Sequence, residues 1–410
     1  MSRKIAEERV YEDFLIEKTD DTVILKKYLG NDEKVTVPTW VKEVDDAAFS
    51  HTNSVKYLIF SEGVEKINTD FSTSDYLKEV YFPSSLKEFN GTFMNNSFLE
   101  KVCFSQSHLN EIKTIRNMAF LNCTELKELN LPRNISTIGN SAFRNCNKLT
   151  KLHIPASVSV IGERAFSSCC NLNDIDLSDN VTTIGRGAFE DCESLTKFRI
   201  PSAVTQISCD AFRGCIKLKA VKFHDKINTI GDFAFAFCEK LETPRFYEGL
   251  TEIGNYAFIS CRNFVNVIFP KSLKSIGANS FEGTGTEYLK LSSMKNIPAH
   301  SFANCENLME IEFAEGIEEI QKYAFAGCAS LTNLYFPETL NNMGEGTFTD
   351  CRNLQMVSFP CDREMENISD DSFCGCPKVM FKCRNHGYVC DYAYEHGINT
   401  QFNMNYISKD

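Results

Sequence analysis

The chain has 410 residues, 43% of them apolar and 24% charged, and its 21 glycines and 11 prolines are too few for a disordered or collagen-like polymer. Its net charge of −12 argues against nucleic acid or an anionic membrane surface as the main partner, since both select basic surfaces. No run approaches the roughly 18 apolar residues that cross a bilayer. The opening residues MSRKIAEERVYEDF lack the apolar stretch of a signal peptide, so a cytoplasmic location is expected, with the cell surface or secretion as the alternative.

In chain order, the first predicted element is a β-hairpin. Residues 13–38 hold two alternating runs on either side of Thr19-Asp20-Asp21. This hairpin is expected to cap the N-terminus, within a segment bounded at residues 1–40. A repeat follows. Phe120, Phe143, Phe166, Phe189, Phe212, Phe235, Phe258 and Phe281 stand 23 residues apart, and Phe302, Phe325 and Phe348 keep that spacing. Irregular steps add Phe49, Phe71, Phe93 and Phe373, which makes fifteen phases.

Leu149–Cys169 is a representative unit. Leu149, Leu152 and Ile154 alternate as in a short strand with one buried face. Pro155 ends that strand because it has no N–H for a ladder. Val158 and Ile161 begin the return path, Gly162 permits a turn, and Ala165-Phe166 is expected on a short helical turn, with Phe166 filling the core. A unit of this length cannot bury its own apolar face, so the units must stack as a solenoid spanning residues 41–376.

The pattern L-x-x-L-x-[IL]-P-x-x-V-x-x-I-G-x-x-A-F-x-x-C resembles the BspA-type leucine-rich repeat over about residues 35–376, with Leu149–Cys169 and Leu172–Cys192 close matches. The resemblance implies an α/β fold: a leucine-rich repeat solenoid of about fifteen coils. Its parallel β-sheet would form the concave face, with short strand and helical segments on the convex face. It implies protein binding, often at cell surfaces, and no catalytic residues.

In such a coil the third and fifth positions of L-x-x-L-x-L point outward. They include Lys197, Arg199, Lys222 and Arg245, a basic cluster bordered by Asp174 and Asp176. Glu310 and Glu312 lie further along. Tyr57, Tyr81, Tyr288 and Tyr335 add aromatic contact area of the kind that dominates protein interfaces. These ten residues, the bordering aspartates aside, are the candidate partner-binding set. Three steps are irregular: extra residues around Ser105–Glu111, a shortened step at which Thr284 replaces a cysteine, and extra residues near Cys361–Glu366. Insertions of this kind map to loops.

Eleven cysteines, from Cys123 to Cys376, recur three residues after the phase phenylalanines. Equivalent positions on stacked coils lie about 4.8 Å apart with parallel Cβ vectors, too far and wrongly aimed for disulfides. A buried column of free thiols is expected instead. Residues 377–410 leave the repeat. CDYAYEHGI reads as a short helix stopped by Gly397, followed by a strand near Gln401–Asn403, together a C-terminal cap. Cys374, Cys376, Cys383, His386, Cys390 and His396 gather there; zinc binding through them is the weaker alternative to structural cysteines. No nucleotide-binding, zinc-protease or nucleophile-elbow motif is present.

The sequence therefore points to a non-catalytic protein-binding module with neither cofactor nor metal. Its rivals are an exported adhesin that binds host matrix or another microbe, a metal or enzyme role for the C-terminal cluster, and a structural filler without a fixed partner.

Overall fold

The computed structural model describes residues 7–74, 76–106, 111–292, 294–360, 365–383 and 387–402. The chain forms two compact units, Met1–Val204 and Thr205–Asp410. Each is a parallel β-solenoid, and the coils amount to about 16 turns.

One coil of the first unit explains the rest. Lys151–His153 forms a strand in which Leu152 is buried while Lys151 and His153 are exposed. It pairs in parallel with Asp174–Asp176, matching Lys151 to Asp174, Leu152 to Ile175 and His153 to Asp176. The repeat length sets this register, so every inward residue lies above another inward residue. On the opposite side, the two-residue strand Val160–Ile161 pairs with Thr137–Ile138 before it and Thr183–Ile184 after it. Such a coil thus contributes a longer strand to one face and a shorter strand to the other.

Gly162 has a different role from the one its position suggests. A Cβ there would sit 2.7 Å from the backbone nitrogen of Asn140 on the preceding coil. The glycine allows two coils to approach, not the chain to turn.

The segment around Ala165-Phe166, expected as a helical turn, is a chain of tight turns. Arg164 and Ser168 adopt left-handed backbone angles, with φ of 51° and 58°. Alternate amides therefore point along the stack and not back along a helix. Ala165 N–H donates to Gly162 O at 3.3 Å, whereas Phe166 N–H donates to Ala188 O of the next coil at 2.8 Å. Arg164 and Ser168 likewise donate to Arg186 and Glu190, at 2.8 and 2.7 Å. These bonds make a third backbone ladder besides the two sheets. The second unit repeats it at Phe235, Phe258 and Phe325, whose N–H groups reach Ala257, Ser280 and Thr347.

The core is built from columns of like residues. In the first unit Phe120, Phe143, Phe166 and Phe189 stack with ring centroids 5.2–5.4 Å apart and planes within 6–9° of parallel. In the second unit Phe302, Phe325 and Phe348 stack at 5.3 Å. Beside them run the thiols. Cys146, Cys169 and Cys192 donate to the carbonyls of Phe120, Phe143 and Phe166 at 3.1–3.3 Å. Phe143 O also accepts the N–H of Cys146 at 3.1 Å, so one carbonyl binds two coils. None of the described cysteines is joined in a disulfide. Where Thr284 replaces cysteine, its hydroxyl lies 3.2 Å from Cys305 Sγ and 2.9 Å from Thr286 Oγ1, and the polar column continues.

The ends match their expected elements, with one addition. The hairpin pairs Phe14–Lys18 with Val23–Tyr28, closed by the bond from Thr19 N–H to Thr22 O at 3.0 Å. A further strand, Glu7–Tyr11, pairs antiparallel with Phe14–Lys18. Its polar sequence EERVY gave no strand signal. At the other end, the helix Tyr388–Glu395 buries Val389, Cys390, Tyr392 and Ala393. Gly397, at φ 66°, stops it. The strand Asn399–Phe402 then pairs in parallel with Met380–Cys383. Parts of the two insertions, residues 107–110 and 361–364, lie outside the described residues, as does His386.

Candidate interaction face

Alternation along the longer strands presents one side chain in two to solvent. Most of those outward charges meet a partner on the neighbouring coil. In the first unit Lys101 Nζ lies 2.7 Å from Glu128 Oε2, and Lys151 Nζ lies 3.8 Å from Asp174 Oδ2. Tyr81 donates its hydroxyl to Glu79 Oε2 at 2.6 Å, and that carboxylate holds the phenol's pKa above its ordinary value. Tyr57 is half-buried.

The candidate cations differ sharply from one another. Arg199 is engaged: Nη1 donates to Asp179 Oδ1 at 2.7 Å and Nη2 to Leu177 O at 2.5 Å, with Asp176 3.8 Å away. The Ser202 N–H and then Arg199 hold the Asp179 carboxyl down to a pKa of about 2. Arg199 is thus a clamp on the loop that follows the strand of the preceding coil. Lys197, on the same strand, is exposed and has no ion pair among the described residues.

In the second unit Lys222 is exposed on the strand Ala220–Lys222 and has no ion pair among the described residues. Arg245 is not on a strand. Residues 243–245 occupy a strand phase, yet Pro244 fills the inward position that Val221 and Val267 hold in adjoining coils. Proline lacks the ladder N–H, and the strand is lost. Arg245 instead lies over the ring of Tyr247, with Cζ 4.9 Å from the centroid.

Tyr288 donates its hydroxyl to Glu312 Oε1, and Lys290 Nζ lies 2.5 Å from Glu312 Oε2. Lys290, then Tyr288, hold the Glu312 carboxyl below the usual range; burial, then Glu312, push the Tyr288 phenol up to about 12. Glu310, Glu312 and Tyr335 share one recess of about 530 Å³ with Met309 and Phe313. Tyr335 is 64% exposed. The recess was not foreseen, because Met309 falls outside the alternating strand positions.

Of the C-terminal cluster, Cys374, Cys376 and His396 line one recess. Cys374 is exposed, whereas Cys376, Cys383 and Cys390 are buried. His396 Nδ1 lies 2.8 Å from Tyr392 O and its ring stacks on Tyr392 at 4.0 Å. Among the described residues no group of three or more His, Cys, Asp or Glu side chains is placed to hold a metal. Among them, too, no helix is long and apolar enough to cross a membrane.

Coils that stack an L-x-x-L-x-L strand, a two-residue return strand and a phenylalanine column define a leucine-rich repeat solenoid. The chain belongs to the BspA-type leucine-rich repeat family: the family model "BspA type Leucine rich repeat region (6 copies)" matches residues 27–113, 95–215, 182–308 and 287–399. Among solved structures, a leucine-rich repeat protein from Bacteroides ovatus is similar over 96% of this chain and 99% of its own, at 23% identity and a TM-score of 0.75. A leucine-rich cell surface protein from Faecalibacterium prausnitzii matches over 98% of both chains at 22% identity and a TM-score of 0.45. The likeness to the Bacteroides ovatus protein bears on fold. A search of curated proteins finds no match.

Proposed function

We propose that this protein is a non-catalytic binding module that holds a protein partner on the outward face of its longer strands. The observation that supports this reading is the contrast on that face. Cross-strand pairs neutralise much of it, while Lys197 in the first unit, and Lys222, Arg245, Glu310 and Tyr335 in the second, stay exposed without ion pairs among the described residues. Three backbone ladders preform the surface, so association costs little conformational entropy. In this reading residues 1–40 and 377–410 act as caps and 41–376 carry the surface. The column of free thiols fits a reducing compartment, hence the cytoplasm.

The test is capture of partners by immobilised protein from lysate of the source organism, with each unit altered separately. Lys197→Glu serves the first unit. Lys222→Glu with Arg245→Glu, and Glu310→Lys with Tyr335→Ala, serve the second. Lys274→Glu, off the longer strands, is the control. A partner held by the wild type and the control, and lost about tenfold or more by at least one outward-face variant, is expected, since hot-spot truncations cost about 1.4 kcal/mol or more. A partner retained equally by all variants would place binding elsewhere.

A further inference from the structure

In the second unit the strands Glu310–Glu312 and Asn333–Tyr335 follow one another but belong to separate sheets. On either side of this opening the residue after the strand closes the ladder: Leu291 N–H donates to Glu312 O at 3.0 Å and Phe336 N–H to Ser358 O at 3.2 Å. Phe313 makes no such bond to Tyr335 among the described residues. The recess of about 530 Å³ lies at the opening. Its size falls within the roughly 300–1,000 Å³ of ligand pockets, enough for a side chain with part of its backbone.

The lining is one-sided in charge. Glu310 and Glu312 are its charged residues, and no cation stands among the lining residues. Glu312 is already held by Lys290 and Tyr288. The exposed Glu310 carboxylate has no hydrogen bond or ion pair among the described residues. Asn333 Nδ2 donates to Thr332 Oγ1 at 3.2 Å, which leaves Asn333 Oδ1 as a second open acceptor. Met309, 53% exposed, and half-buried Phe313 supply apolar surface. The largely exposed Tyr335 ring stacks on no other ring among the described residues.

Open acceptors, an uncompensated negative charge and a free aromatic face together select a cation with several N–H donors. Arginine meets these demands better than lysine. Its planar guanidinium stacks on a ring while its edge bonds a carboxylate, and its methylenes cover apolar surface. We propose that this recess binds an arginine side chain of a protein partner, with the guanidinium on the Tyr335 ring and the Glu310 carboxylate and the methylene stem against Met309. This deepens the protein-binding reading and rests on it.

The test uses fluorescence polarisation with the full chain and a labelled peptide, Ser-Gly-Leu-Arg-Leu-Gly-Ser. The control peptide carries citrulline, an uncharged isostere, in place of arginine. The arginine peptide is expected to bind about tenfold more tightly at low salt, the scale of one exposed ion pair plus one cation–π contact. Added salt shrinks that preference by screening. Glu310→Gln and Tyr335→Leu, both at exposed positions, each cut the preference to about threefold, and together they remove it. Glu252→Gln, which removes an exposed carboxylate from a shorter strand of the same unit, leaves it unchanged. Equal affinity for the two peptides, a preference that both substitutions leave intact, or no binding of either peptide overturns the proposal. Should it fail while a partner captured from lysate is still lost with Lys222→Glu and Arg245→Glu, the broader reading stands and this one falls.

Discussion

Replacing Phe143 with alanine is expected to lower the unfolding free energy by about 3–5 kcal/mol, the range for truncating a buried phenylalanine. The ring is fully buried and stacks on both sides, at 5.2 Å from Phe120 and 5.4 Å from Phe166. Truncation therefore opens a cavity between two coils and deletes two stacking contacts together. Neighbouring coils cannot close it, because the two sheets and the turn ladder fix their spacing. Urea unfolding followed by circular dichroism measures the loss. Phe98→Ala is the contrast: that ring is 51% exposed, and its removal should stay within about 0.5 kcal/mol. A Phe143→Ala protein as stable as wild type would mean that the column merely fills space that other side chains can reclaim.

A second large effect is expected in alkali. Burial pushes the thiols of Cys169 and Cys305 up to about 12 and about 11. In the unfolded chain these thiols ionise near pH 8.5–9, as cysteines ordinarily do. The folded state keeps protons that the unfolded state has released. The stability associated with them is complete below about pH 8.5 and falls as pH rises toward the folded values. Each thiol removes about 1.4 kcal/mol per pH unit, so these two alone remove about 5 kcal/mol between pH 9 and 11. Cys146, Cys238 and Cys328 are shifted in the same direction by burial and steepen the loss. Unfolding free energies measured from pH 8 to 11 under reductant should show this fall. Cys169→Ala with Cys305→Ala should flatten it by that amount, which separates the thiols from lysines and tyrosines that titrate nearby. Parallel slopes for wild type and the double variant would mean that water reaches the column.

The repeat was legible because its constraints are local in sequence: the phenylalanine spacing, the alternation at Leu152 and Ile154, and the cysteine three residues after each phenylalanine. The turn ladder was not. Its left-handed residues include Arg164, Phe233 and Tyr256, at φ of 51–56°, types that carry no turn signal. The next coil's carbonyls hold them there, an interaction that no single repeat displays. The partial signal that existed, Asn122, Asn145, Gly214 and Gly327 at equivalent positions, marked one of the two left-handed sites in each turn.

The face was legible as a set of positions but not as a charge map. Lys197 and Arg199 look alike in the repeat, yet a loop aspartate, Asp179, occupies one and not the other. Arg245 was placed on a strand because its spacing is regular, and Pro244 overrides that spacing through one missing N–H. Glu312 was read as an outward candidate residue, and it is shared by Tyr288 and Lys290.

The regular offset between bonded residues in most coils has an evolutionary corollary. Pairs such as Lys151 with Asp174 differ by one repeat length, so a gene for this protein can change size by a whole module without moving any strand out of phase. Losing residues 149–171 would set Leu172 directly after Lys148, where Leu149 now stands, with every later side chain in phase. Single coils also differ in length, as between Val80 and Val102 or Val102 and Leu129, and there the loops absorb the difference while the buried residues stay paired. Unequal recombination between neighbouring repeats keeps that phase automatically, while smaller insertions and deletions are taken up by the loops. The lineage can therefore revise its outward surface by shuffling modules, with the inward half of each module left unedited.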